Sequence, residues 1–173
     1  EEGVSVPMDA TGKLENLEDA AKVAPFQPWA LALYRYRQQN GFEDDPMKVC
    51  IGPGNPRQMM TPGGLRFLQD RNLNRVYMIF GGGNRNWRVI FMDGRPHTDP
   101  DLVVRTYNGE SIGHWEGDTL VVDTTAFRGD HHWMDQGGMS IPAGEKLRIE
   151  ERFRLISDGR QLEIAYTMTD PDN

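Results

Sequence analysis

From Arg75 onward the chain is a succession of short β-branched or aromatic runs with period-two alternation: VYMIF, WRVIFMDG, LVVRTY, SIGHWEG, TLVVDTTAF, KLRIEERFRLIS and QLEIAYTMT. They are parted by GGGN, DG, NG, GD and DG, dipeptides and loops suited to reversing a strand. With no long helical run between them, these segments predict an antiparallel meander of seven or eight strands. Such a sheet must bury one face, either by curling or by stacking, so the expected class is mainly β. The form expected is a lipocalin-like (calycin-like) β-barrel carrying short N-terminal helices.

The first 64 residues read differently. KLENLEDAAKV, Lys13 to Val23, places Leu14, Leu17 and Ala20 or Ala21 at helical spacing. PFQPWALALYRYRQQNG follows as a second helix, with Pro28 suited to its first turn and Gly41 to its end. Between Asp45 and Gly64 four prolines and four glycines exclude a long regular element and predict a connection that wraps a surface or covers a pocket. At 173 residues the whole is expected to form a single domain, 1–64 packing on a β-meander at 75–170.

Two hairpins can be read residue by residue. Around Ser157-Asp158-Gly159-Arg160, outward pairing sets Leu155 against Leu162, Phe153 against Ile164, Glu151 against Tyr166 and Ile149 against Met168 on one apolar face. Glu151 is the exception on that face: a buried carboxylate is costly unless it is paired, hydrogen-bonded or protonated. It is expected either to bond an arginine or Tyr166, or to line a cavity as an acid or base. With Gly117-Asp118 as the other turn, Gly113, Trp115, Leu120 and Val122 share one face, and Ile112, His114, Thr119, Val121 and Asp123 the other. His114 then lies opposite Val121 and diagonal to Asp123, a spacing that allows a His–Asp dyad for general acid–base work or, equally, a solvated strand face.

Composition removes several classes of function. The net charge of -7 and a pI near 5.1 disfavour nucleic-acid binding, which needs a basic surface to displace counterions. Mean hydropathy is -0.63, and no apolar run approaches the ~18 residues needed for a membrane span. One cysteine, Cys50, excludes an internal disulfide framework. There is no GxSxG elbow, CxxCH haem site or dinucleotide fingerprint, and GGGNRNW at Gly81 to Trp87 lacks a phosphate-cradling pattern, so no cofactor is expected. His131 and His132 adjoin in an expected loop after Gly129-Asp130, but without HxH or HxxxH spacing a metal is not favoured.

Two kinds of function remain. One is a cofactor-independent lyase, isomerase or hydrolase acting on a small apolar or aromatic molecule inside the barrel. In it His114 is the acid or base and Asp123 orients it; Glu151 and Tyr166 are partner groups, and His131 and His132 lie on a loop over the mouth. Trp115, Trp133 and Trp87 would supply apolar contacts, and Arg105 and Tyr107 a cationic or phenolic group, for the substrate. The other is a non-catalytic carrier that holds a hydrophobic ligand in the same barrel. His97, in the turn DGRPHTDP, reads as a surface histidine. Homo-oligomer formation is left open.

Residues Pro28 to Ala30, DPMKVCIGPGNPR, RVIFMDGRPH, SIGHWEGDTLVVDTTAF, EER at Glu150 to Arg152 and the terminal Asp170-Pro171 resemble a largely uncharacterised family of bacterial exported proteins. That family shares a block close to GxSxGxWEGDTLVVDT. The likeness runs from Pro28 onward, and WEGDTLVVDT is its specific part. It implies a periplasmic or secreted protein whose leader is absent from these residues, and a chain that continues past Asp170-Pro171. His114 stands where Arg or His is common in the family.

Overall fold

The computed structural model describes residues 6–9, 13–82, 86–130, 133–134 and 141–173. Seven strands form one sheet in sequential order: β1 Leu65–Asp70, β2 Arg75–Phe80, β3 Trp87–Phe91, β4 Glu110–Glu116, β5 Thr119–Thr125, β6 Arg148–Ile156 and β7 Gln161–Thr169. The sheet curls into a half-barrel. Phe67 of β1 meets Phe153 of β6 edge-on, with ring centroids 5.6 Å apart. Among the described residues β1 and β7 share no ladder. The expected mainly β, barrel-like class is therefore the observed one.

Both sequence-derived registers hold. Leu155 pairs with Leu162, Phe153 with Ile164, Glu151 with Tyr166 and Ile149 with Met168. His114 pairs with Val121 and Glu116 with Thr119, leaving Gly117-Asp118 as the loop. Gly117 has φ 63°, the left-handed conformation a two-residue hairpin demands. The β6–β7 connection is longer than expected: pairing ends at Ile156–Gln161, and Ser157, Asp158 and Gly159 all have positive φ.

Two features depart from a simple meander. LVVRTY is not a strand; Leu102 and Val104 are exposed, and Thr106 makes only an isolated bridge with Phe127. Alternation alone does not make a strand where no neighbour offers a ladder, and a turn closed by the Leu102 and Val103 amides on the Asp99 carbonyl leads into the segment. As a result β3 and β4 run parallel, with Ile90 opposite Ser111 and Phe91 opposite Ile112. In place of LVVRTY, the seventh strand is β1, ahead of Arg75.

Two apolar clusters result. One fills the concavity of the half-barrel with Val76, Met78, Phe80, Ile90, Leu120, Val122 and Phe153. Gly113 is needed there because a Cβ would lie 2.6 Å from Ile90 Cγ2 and 2.7 Å from Met92 Sδ. The other lies between the sheet and the N-terminal helices, joining Leu14, Ala20, Ala30 and Tyr34 to Phe127, Leu147 and Ile149. The helices are α1 Ala20–Val23, preceded by a 3₁₀ turn, and α2 Pro28–Gln39, close to expectation, with a short α3 Arg57–Met60 in the Pro/Gly-rich connection. Gln38 of α2 ties this layer together, accepting from the Leu14 amide at 2.9 Å and donating to the Tyr34 hydroxyl at 3.0 Å.

Candidate functional site

The ends of β1, β4 and β6 and the starts of β2, β5 and β7 meet at one end of the half-barrel. Strand alternation turns Phe67, Val76, Trp115, Leu120, Phe153, Leu155 and Leu162 toward one another there. With Gln69 and Asp118 they line a cleft of about 290 Å³. Its outer lip is apolar and wet at once: Trp115 is 53% exposed and Leu155 63%. Apolar area left in water at a concave place is a ready source of binding free energy.

One row deeper, the concavity holds a charge pair. Arg88 Nη1 and Nη2 donate to the two Glu151 oxygens at 2.7 and 2.9 Å, and both side chains are almost wholly buried. Asn55 Nδ2 approaches Glu151 Oε2 at 3.5 Å, and Arg88 also contacts Met78 Sδ. Of the partners foreseen for Glu151, an arginine is the one present. Tyr166 lies beside it in register, half-buried, and packs toward the helical cluster. Both Glu151 oxygens are engaged by a fork of guanidinium donors, an arrangement that compensates the desolvation of two ions.

His114 and Asp123 do not face this interior. They stand on the outer face of β4 and β5, as the hairpin register dictates, and they do not bond each other. The expectation that they look into the cavity is corrected by the direction of curl, which turns the Gly113–Trp115–Leu120–Val122 face inward. His114 Nε2 lies 3.1 Å from Glu116 Oε1, with its ring largely in solvent. Arg152 also bonds Glu116, and this bond, with that of His114, holds the Glu116 carboxyl below its ordinary range.

Asp123 has a different histidine. His97 Nε2 is 3.1 Å from Asp123 Oδ2, while Nδ1 is 3.1 Å from Glu110 Oε2 and 3.2 Å from Thr125 Oγ1. Arg148 donates to both Asp123 oxygens at 2.7 and 2.9 Å. Glu110 accepts from the Thr98 amide and hydroxyl at 2.9 and 2.6 Å. Burial pushes the Glu110 carboxyl upward, but the Thr98 and His97 hydrogen bonds outweigh it and leave it below the usual range. Both imidazole nitrogens of His97 are thus held by carboxylates, which pins the 92–109 crossover to the sheet and leaves neither nitrogen open to a substrate.

The other expected residues scatter. Trp87 is exposed on the outer face near Tyr77, at 6.2 Å between ring centroids. Arg105 Nη1 donates to the Glu145 carbonyl at 2.8 Å, and Arg128 stacks over Tyr107. Trp133 is 2% exposed in the helical layer, between the guanidinium groups of Arg37 at 4.3 Å and Arg57 at 5.3 Å, so it is a core residue and does not line this cleft. His131 and His132 lie outside the described residues. Trp115 alone of the three tryptophans reaches the cleft.

Arg88 and His97 were missed as partners. A signal existed for Arg88: in WRVIF it shares a face with Ile90, so it is a charge on an apolar face, as Glu151 is, and two such charges call for each other. Among the described residues no cluster of three or more His, Cys, Asp or Glu is poised to hold a metal, and no helix is long and apolar enough to cross a membrane. Comparison of the chain with family models, curated proteins and solved structures found no match.

Proposed function

We propose that this protein binds a small apolar or aromatic molecule in the cleft at the open end of the half-barrel, as a non-catalytic carrier or receptor module. The observation that carries the reading is the convergence of seven apolar side chains, Trp115 among them, on one concave and partly exposed site. The volume, about 290 Å³, lies at the lower end of small-molecule sites. An acid–base enzyme draws less support from this geometry: His114 and Asp123 turn away from the cleft, and Glu151 is committed to Arg88. The periplasmic or secreted setting implied by the family resemblance belongs to the same proposal.

A neutral fluorescent probe, N-phenyl-1-naphthylamine, tests the reading directly. Binding with a Kd of about 1–100 μM is expected, with quenching of Trp115 that Trp115→Phe abolishes. Leu155→Glu places a charge on the lip at an exposed position and should weaken the probe at least about tenfold, the equivalent of one partly desolvated charge. Equal probe affinity in Leu155→Glu and the native protein would overturn the assignment.

A further inference from the structure

The apolar cleft does not end at its lip. Gln69 and Trp115 also line a second hollow of about 520 Å³, completed by Asp70, Arg71, Asn74, Arg75, Met92 and His114. It lies at the same end of the half-barrel, where β3 has stopped at Phe91 and β4 runs on to Glu116. Gln69 and Trp115 therefore border both hollows, one apolar and one polar.

The polar hollow holds two guanidinium groups, Arg71 and Arg75, beside one carboxylate of its own, Asp70, which stands opposite Arg75 in the β1–β2 register. Among the described residues neither Arg71 nor Arg75 has a carboxylate partner. Arg75 stacks over the Phe91 ring at 5.2 Å, and its Nε is buried with no hydrogen-bond acceptor. A buried donor without an acceptor is unusual in a folded protein and costs about 1–3 kcal/mol. Three carboxylates at this end of the half-barrel are each engaged by other groups. Asp70 accepts from the Asn72 and Leu73 amides of its own turn, and Asp118 accepts from the Thr119 hydroxyl. Glu116 is taken by Arg152 and His114.

We propose that the ligand is an amphipathic carboxylate, its apolar body in the cleft and its anionic head against Arg71 and Arg75, with the His114 ring on the rim beside it. This inference rests on the apolar-binding reading and names its ligand class. A guanidinium fork matches a carboxylate in geometry, and Arg71 and Arg75, which line the hollow without an ion-pair partner among the described residues, are the forks such a head would meet. The arrangement also gives His114 a place in recognition without any proton transfer.

Decanoate and decanol, competing with N-phenyl-1-naphthylamine at pH 8, separate the head from the body. Arg71→Gln and Arg75→Gln should each weaken decanoate by about fivefold or more while decanol stays within about twofold, because only the charged head loses a charge-assisted bond. Arg75→Lys, which keeps the charge without the fork, should fall between. Raising salt from 50 to 500 mM should weaken decanoate and leave decanol nearly unchanged. If the glutamine variants bind decanoate as the native protein does while decanol and probe still bind, the anionic head is refuted and the apolar site stands. If neither probe nor decanol binds the native protein, the apolar site itself is refuted and this inference goes with it.

Discussion

Replacing Glu151 by glutamine keeps the shape of the side chain and removes its charge, leaving Arg88 as a cation in an apolar enclosure. Arg88 and Glu151 side chains are 2% and 0% exposed, and the two hydrogen bonds between them, at 2.7 and 2.9 Å, engage both carboxylate oxygens. Breaking a buried pair by removing one partner costs about 3–5 kcal/mol, since the survivor keeps its desolvation penalty without its counter-charge. Against a total stability of about 5–15 kcal/mol this is a large fraction. For a chain of this length it corresponds to a fall in Tm of about 6–20 °C. The double variant Arg88→Met/Glu151→Leu removes both charges and refills the space with apolar atoms, and should lie near the native stability or above it, by up to about 4 kcal/mol. Urea unfolding followed by circular dichroism yields all the free energies, with m-values checking that the compactness of each state is unchanged. Glu151→Gln costing under about 1 kcal/mol, or a double variant costing the sum of its singles, would refute the view that the pair is a mutually dependent structural unit.

Two further outcomes are expected. Glu110 titrates below its ordinary 4.5 in the folded protein, so it adds stability above that pH, and the contribution is lost as pH falls below 4.5 toward the folded value. The gap in urea midpoint between the native protein and Glu110→Gln, about 1 kcal/mol in free energy near pH 7, should therefore be flat down to about pH 5 and close at lower pH; a gap that stays constant to pH 3 would contradict it. Trp133→Leu loses ring area and both guanidinium contacts and should cost about 3 kcal/mol by thermal unfolding, with Trp133→Phe costing less than half of that. Equal losses for Leu and Phe would show that the Arg37–Trp133–Arg57 stack contributes nothing beyond volume.

Much of the β structure could be read before any coordinates because it is local. A two-residue loop at Gly117-Asp118 and a turn centred on Asp158-Gly159 set which residues face each other, and period-two alternation then sorts each strand into two faces. That reasoning placed His114 opposite Val121 and Glu151 opposite Tyr166 correctly. It also located α2, because a proline at its start and a polar, glycine-terminated end are signals carried within a dozen residues. LVVRTY shows where local pattern fails: Leu102 and Val104 alternate as a strand does, yet a strand needs a neighbour, and none is offered to them.

Face composition favours the Gly113–Trp115–Leu120–Val122 side as the inner one, but which residues of that side meet across the curl is a tertiary matter, and it governs the site. Curling brings β1 against β6, residues Phe67 and Phe153, far apart in the chain, and so assigns Trp115 to the cleft and His114 to the rim outside it. The partners of the buried and half-buried charges were decided at the same level: Arg88 meets Glu151 across 63 residues, and His97 reaches Asp123 across 26 because β3 and β4 run parallel and the crossover between them folds back over the sheet. Hairpin register follows from a few dihedral angles next to each other, whereas these pairings depend on how the whole apolar surface is most completely removed from water. No short window of residues carries that information.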